Sequence, residues 1–391
     1  MPLLSFLMKV FHIILFVAAC LTVLTSCRKE DVIEKPTVTP VEPSGPADDP
    51  SRAVVGFYLL NEGNMGSNKA TLDFYDAASG TYTRNIYGAA NPSVAKELGD
   101  VGNDLAIYGS RLYALINCSN KIEIMDAATC RRIGQVNIPN CRFMAFDGPY
   151  LYVTSYAGPV VIDPDYKQLG YVAKVDTATM EVVATATVGF QPDGIAVSGR
   201  RLYVANSGGY MAPHYERTMS VIDIPEFRVV DTVDIGLNLG LVLADNCGQI
   251  WVASRGNLYD IGPRLYCYDI AAREIVADLE ISVGDMWLDD DLIYIVGNEW
   301  SNVTMKNTVS YAVVDVRSHK KVADSFITDG TETRISKPYG VAVDPVSKDI
   351  YVTDGRNYVN PGDIYCFAPD GTLRWTTPTG DIPAHIAFLR K

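Results

Sequence analysis

Few side chains in this sequence can do acid–base or metal chemistry. Setting aside the apolar N-terminal stretch leaves three histidines, and His319 falls in a turn between strands, so His214 and His385 remain. Glu299 and Asp354 are the carboxylates that could serve them in an enzyme of the lactonase or lyase kind. No serine elbow of the GxSxG type, HExxH pair, Walker loop or GxGxxG fingerprint is present. Two histidines without a companion cysteine or a spaced carboxylate make a poor metal site. The Asp289-Asp290-Asp291 triplet lacks the alternating ligands and glycine of a calcium loop, so it reads as a solvated turn. The expectation is a binding protein, not an enzyme, with no resident metal or cofactor.

Binding chemistry is better represented. One set of loops alternates amides, hydroxyls and glycines with single large aromatics: Asn61-Glu62, Asn117, Tyr156, Asn206, Tyr210, His214-Tyr215, Arg255, Glu299-Trp300, Asp354, Arg356 and Tyr358. The stretches leading into neighbouring strands add Asn103, Phe143, Asp193, Asn238, Trp287, Tyr339 and His385. Glycine and asparagine in loops are explained by their tolerance of left-handed turns. The loop aromatics are not, and an aromatic with a polar tip suits a boundary that is apolar at one end and wet at the other. These residues form the candidate ligand-binding face.

Such loops need a rigid support, and a repeat supplies it. Arg201-Leu202-Tyr203-Val204-Ala205-Asn206 has counterparts in FYLLN at 57–61, RLYALIN at 111–117, YLYVTS at 150–155, QIWVAS at 249–254, LIYIVGN at 292–298 and DIYVTD at 349–354. Each is a β-branched and aromatic run ending in a small or polar residue, as a buried strand does on leaving for a loop. A shorter strand precedes most copies, Asp193 to Val197 being the clearest, and third and fourth strands follow. Four strands with short turns make one propeller blade. Six blades are complete, while His385–Leu389 is an orphan first strand and residues 54–84 lack one. Joined, they predict a seventh blade closed by both chain ends, an all-β seven-bladed propeller without a free sheet edge. The distance from the second-strand aromatic to the acid ending the third strand varies from 13 residues (Tyr113 to Asp126) to 24 (Tyr152 to Asp176). Variable loops on a rigid scaffold are where binding is normally placed.

The N-terminal part reads differently. Residues 1–26 carry one charge, Lys9, then an apolar run from Val10 to Leu24 and Thr25-Ser26-Cys27, which predicts a secretory signal. An uncleaved membrane anchor is the alternative, and Met8 is an alternative start. Residues 27–53 are polar and rich in proline, a composition that predicts a disordered tether. The chain has 33 basic and 46 acidic residues. Loss of the signal removes only Lys9, so the mature chain has a formal charge of −14, which disfavours nucleic acid and anionic lipid as partners. Of the six cysteines beyond Cys27, Cys118 and Cys141 are the candidate disulfide pair, and Cys267 and Cys366 read as buried thiols.

The Cys27 context resembles a bacterial lipoprotein signal, which implies lipidation of that thiol, and Lys29-Glu30-Asp31 resembles the surface-export signal of Bacteroidetes lipoproteins. The motifs LYVTS, LYVAN and IYVTD, each preceded by a strand of the GIAV or GVAV type, resemble the YVTN repeat of YncE-like seven-bladed propellers. With the lipoprotein signal and the amide-rich face, the chain is similar to BtuG-type surface lipoproteins. That resemblance implies capture of cobalamin or another corrinoid, transfer to a TonB-dependent outer-membrane transporter, and a lipid-anchored position on the outer membrane facing the cell exterior. Lactonase-type or lyase-type propeller enzymes and glycan-binding lipoproteins remain the alternatives.

Overall fold

The structure is a computed structural model that describes residues 35–44, 53–94 and 97–391. The expected signal, Cys27 and the export motif lie outside the described residues, as does most of the expected tether. No helix among the described residues is long and apolar enough to cross a membrane.

Seven antiparallel sheets follow one another around an axis. Blade 1 is built from both ends of the chain, with Pro383–Arg390 innermost, then Val54–Asn61, Thr71–Asp76 and Thr81–Arg84. Blades 2 to 7 each run outward in chain order. They begin at Gly102, Cys141, Pro192, Leu239, Asp285 and Pro338 and end at Asn137, Thr187, Asp234, Leu279, Ala323 and Asp381. Closure is direct, since Tyr58 pairs with Ala387 and Leu59 with Ile386. The expected seven blades, their four-strand order and the closing blade are all present.

The second strand shows why the repeat has its composition. Side chains alternate across a strand, and here both faces are covered by neighbouring blades. Leu202 and Val204 pack with Tyr152 and Val172 of blade 3, while Tyr203 and Ala205 pack with Ile250 and Val252 of blade 5. A strand buried on both faces must be apolar throughout. Each such side chain, fully buried, contributes about 1.5–3 kcal/mol.

The acids that end the third strands are turn formers. Asp76, Asp176 and Asp269 each accept from the backbone N–H groups two and three residues ahead, and Asp126, Asp223 and Asp315 accept from the one three ahead. This local bonding favours the turn over a continued strand. The backbone N–H donors at Thr179 and Ala178 hold the Asp176 carboxyl below its usual range. The Asp289-Asp290-Asp291 turn, on the opposite face, is matched by Lys348 and Arg317.

Three features differ from the sequence expectation. Thr37–Pro40, inside the expected tether, is a fifth strand on blade 1, paired with Thr81–Arg84. An outermost strand has one free side, so prolines are tolerated there, and Val41 N–H donates to the Gly80 carbonyl to continue the contact. In blade 6 the second strand extends through Ser301 and returns as Lys306–Ser310, a hairpin where a loop was expected. Cys118 and Cys141 are separate thiols, the first half-buried and the second buried; Cys267 and Cys366 are buried thiols as anticipated.

Candidate functional site

In three blades the residue just before the apolar run of the innermost strand is ionisable. Asp104 opens a run that continues Leu105-Ala106-Ile107, Asp285 opens Met286-Trp287-Leu288, and His385 opens Ile386-Ala387-Phe388. Glu62 and Arg255 come just past the ends of the second strands of blades 1 and 5, and Asn298 takes the equivalent place within the extended second strand of blade 6. Glu62, Arg255, Asp285, Asn298 and His385 line a cup with a cavity of about 400 Å³, and Asp104 lies behind it, within reach of the His385 charge. Among the expected site residues, Glu62, Asn103, Phe143, Arg255, Glu299, Tyr339, Tyr358 and His385 line it.

One wall carries carboxylates whose oxygens are already engaged. Glu62 accepts from the Tyr339 hydroxyl at 2.8 Å on one oxygen, and its other oxygen lies 3.5 Å from His385 Nε2. Asp104 accepts from its neighbour Leu105 N–H and, across the blade boundary, from Met144 N–H, both at 2.8 Å. Asp285 repeats this with Met286 and Val341 N–H, both at 2.9 Å. Each aspartate therefore fastens its own blade to the next. Burial raises the Asp104 and Asp285 carboxyls, the latter to about 6, although the imidazole of His385 pulls both back. For His385 burial favours the neutral ring, but the bond to Glu62 and the charges of Asp104 and Asp285 outweigh it, and the net shift is upward.

The other wall is cationic. Arg142 donates through Nε to Asp193 at 3.0 Å, and Arg255 donates through Nη1 to the other oxygen of the same carboxylate at 2.8 Å. Tyr156 also donates to Asp193, at 2.8 Å, and the Arg142 guanidinium lies 4.9 Å from the Tyr156 ring centre. Asp193 is 1% exposed and sits behind the arginines. Burial alone would raise it, yet the two guanidiniums and the Tyr156 hydroxyl bring it below the usual range. Glu299 has no ion-pair partner within 4 Å among the described residues; burial raises its carboxyl, against the pull of Arg255.

The remaining expected residues do not line this cup. Asn61 and Asn206 are buried and bonded within the blades: Asn61 accepts from Gly380 N–H and donates to Thr71, and Asn206 accepts from Gly189 N–H and donates to Thr218 and Ser220. Asn238 is buried against the Gly256 carbonyl. Asp354 is buried and accepts from Ser336, Lys337 and Arg356 N–H. Trp287 packs edge-on to Phe388 between blades. Arg356 is exposed and bonds Asp363. Tyr210 sets its ring edge against Tyr156. His214 is exposed beside the Pro164 carbonyl, with half-buried Tyr215 next to it. Trp300, 41% exposed, stands on the blade 6 hairpin. Asn117 borders a separate cleft of about 590 Å³ between blades 2 and 3. There its amide is committed to Asn140 and the Cys141 carbonyl, so the axial cup is the stronger site.

Arg142, Asp285 and Asn298 line the cup, with Asp104 behind it, and all four are absent from the sequence-derived set. For Asp104 and Asp285 the usable signal was a carboxylate just before the apolar run of an innermost strand, because in a closed ring those strands surround the axis.

Around the cup, loop tips on the same face expose apolar side chains. Met65, Ile162, Tyr259, Val303, Met305 and Val359 are the most exposed beside Trp300. The face is thus a polar, charge-divided centre within a discontinuous apolar rim.

Comparison with known proteins bears on the fold. A family described as "Domain of unknown function (DUF5074)" matches residues 55–364. None of the curated proteins matches the chain. Among solved structures, hydrazine synthase of Kuenenia stuttgartiensis is similar with a TM-score of 0.57 at 18% identity, over 73% of this chain and 89% of that one. A quinoprotein alcohol dehydrogenase-like protein from Bacteroides thetaiotaomicron gives 0.58 at 15% identity, over 86% and 78%. The computationally designed protein Ika8 gives 0.50 at 10% identity, over 90% and 94%. At these identities the likeness concerns the propeller fold alone.

Proposed function

The chain belongs to the DUF5074 family, and from the construction of its axial face we propose that it is a non-enzymatic capture protein for cobalamin or a related corrinoid. The observation that carries this reading is the pairing of a polar cup with an apolar, aromatic rim on one face of a closed ring. A corrinoid is a broad disc fringed with amides. Such a disc is too large for a cavity of about 400 Å³, so it would lie across the rim and send one polar edge or arm into the cup. Tyr339, Tyr358, Asn298 and the Arg255 guanidinium offer hydrogen bonds to amide groups without ligating cobalt. Affinity would come from preorganisation, since blades locked at both chain ends hold their loops in place and limit the ordering cost of binding. Lipidation at Cys27, a position on the outer membrane facing the cell exterior and delivery to a TonB-dependent transporter complete the proposal; they rest on the resemblances of the N-terminal segment and the repeats.

A second reading has one observation in its favour. His385 beside Glu62, with Asp285 raised to about 6, is a set of groups able to exchange protons near neutral pH. A lactonase or lyase would use it as acid or base. Titration calorimetry of the chain lacking residues 1–27 with cyanocobalamin separates the readings. Capture predicts tight, stoichiometric binding that survives His385→Gln with modest loss. Absence of heat and of any competition would falsify it.

A further inference from the structure

The two walls of the cup differ in what they have left to offer. On the acidic wall all six oxygens of Glu62, Asp104 and Asp285 have a partner in the protein. On the other wall the arginines keep donors in reserve. A guanidinium has five N–H groups. Arg142 uses only Nε, and Arg255 uses only Nη1, toward Asp193 and weakly toward the Leu239 carbonyl at 3.4 Å. Among the described residues, Nη1 and Nη2 of Arg142 and Nε and Nη2 of Arg255 make no hydrogen bond. Two guanidiniums share one carboxylate, so the pair carries one unbalanced positive charge. Both side chains line the cavity, and the Arg142 side chain is only 16% exposed.

The backbone is shaped around this pair. A Cβ added at Gly240 would meet the Arg255 guanidinium carbon and Nη2, both at 3.1 Å. Glycine at that position lets the guanidinium lie close against the innermost strand of blade 5. The Arg255 side chain is 33% exposed, so the unused N–H groups open to the cavity, where a ligand can meet them. A chain with formal charge −13 has nonetheless set no further carboxylate against them among the described residues. Glu299 is near enough for its charge to act on Arg255, yet it makes no ion pair within 4 Å.

We propose that Arg142 and Arg255 form an anion subsite in the cup, which takes a singly charged oxyanion of the ligand, a phosphodiester or a carboxylate. The planar forks suit two-oxygen groups, and Asp193 behind them limits the charge so that one negative charge is matched. Glu299 acts as the competing anion that a ligand must outbid. The inference rests on the cup being the ligand site. Given the capture reading, the phosphodiester of a corrinoid nucleotide arm is the group that fits, and the carboxylate is the alternative source.

Calorimetry with dimethyl phosphate and, separately, acetate tests the subsite without any corrinoid. The wild type should bind one of them with a millimolar constant, and which one identifies the source. Arg255→Gln should weaken that binding about tenfold or more, whereas Glu299→Gln should tighten it severalfold by removing the competing charge. Arg142→Lys, which keeps the charge facing Asp193 but loses the fork, should weaken it too, with folding checked by circular dichroism. Wild-type protein that binds neither anion, or an Arg255→Gln variant that binds as well as wild type, overturns the subsite. If anions bind as expected while cyanocobalamin does not, the subsite stands and the capture reading falls. If cyanocobalamin binds equally to wild type and Arg255→Gln, capture stands and the corrinoid phosphodiester is overturned as the group the subsite takes.

Discussion

Asn61 and Glu62 are adjacent in the chain and do opposite work. Asn61 is buried and ties Thr71 to Gly380, whereas Glu62 faces the cavity and bonds Tyr339 and His385. The same division recurs in blade 4, where Asn206 ties Gly189 to Thr218 and Ser220. At the position of Asn61 two blades carry the same amide with the same bonds. At the next position the blades carry Glu62, Asn117, Tyr156, Ser207, Arg255, Asn298 and Gly355. Elsewhere the Asn61 position holds Ile116, Ser155, Ser254, Gly297 and Asp354, and its polar members all bond the connection that enters their own blade. Residue type varies at both positions, but that scaffold duty is general only at the first. One residue along a strand separates the two because alternate side chains point in different directions.

The largest effect expected from this division is at Asn206. Asn206→Ala leaves the Gly189 N–H and the Thr218 and Ser220 hydroxyls without their partner in a buried setting. One unsatisfied buried group costs about 1–3 kcal/mol, so a loss on the order of 3 kcal/mol is expected in urea unfolding. The protein that remains folded should bind ligand as wild type does. Unchanged stability with weakened binding would reverse the assignment and return Asn206 to the ligand face.

That residue also measures what could be read without coordinates. The blades were legible because burial on both faces imposes an apolar run in every second strand, and Leu202-Tyr203-Val204-Ala205 states it openly. Closure was legible because a first strand was missing at one end and surplus at the other. Asn206 was not legible as scaffold, since an asparagine after a strand looks the same whether it bonds the neighbouring connection or a ligand. Its partner glycine gives the clue: a Cβ at Gly189 would lie 2.5 Å from the Asn206 amide carbon, and one at Gly380 would lie 2.7 Å from that of Asn61. Asp104 and Asp285 were missed for the reverse reason, because a carboxylate just before an apolar run reads as a boundary until the ring is closed around it. Thr37–Pro40 gave no strand signal because an outermost strand needs little apolar surface and tolerates proline.

A smaller effect is expected where cup residues titrate. The folded-state pKa of Asp285 is about 6 against an ordinary 3.8, and that of His385 lies above its ordinary 6.5. Both groups hold a proton more firmly in the folded chain than in the unfolded one. Their stabilising contribution is therefore fully present below the ordinary values and lost as pH rises, between about 3.8 and 6 for Asp285 and from 6.5 upward for His385. Unfolding free energy measured against pH should show Asp285→Asn flattening the lower window and His385→Gln the upper one. A variant of Asn206 should shift the whole curve and keep its slope. Identical slopes in wild type and both cup variants would remove the titrating groups from the axis.

The smallest effect on stability is expected at the rim. Trp300 is 41% exposed, and its indole N–H is bonded only to Asn302 on the same hairpin, at 2.9 Å. Trp300→Ala removes no side chain that other blades pack against, so its stability should stay within about 0.5 kcal/mol of wild type. Corrinoid affinity should fall severalfold, because an aromatic on a paired strand adds contact area with few rotamers to freeze. The informative quantity is the ratio of the two effects. Asn206→Ala should move stability and leave affinity, and Trp300→Ala should do the opposite. A Trp300 variant that melts as early as the Asn206 variant would mean that the hairpin is part of the ring's support, and the division between repeated scaffold and variable face would not extend to blade 6.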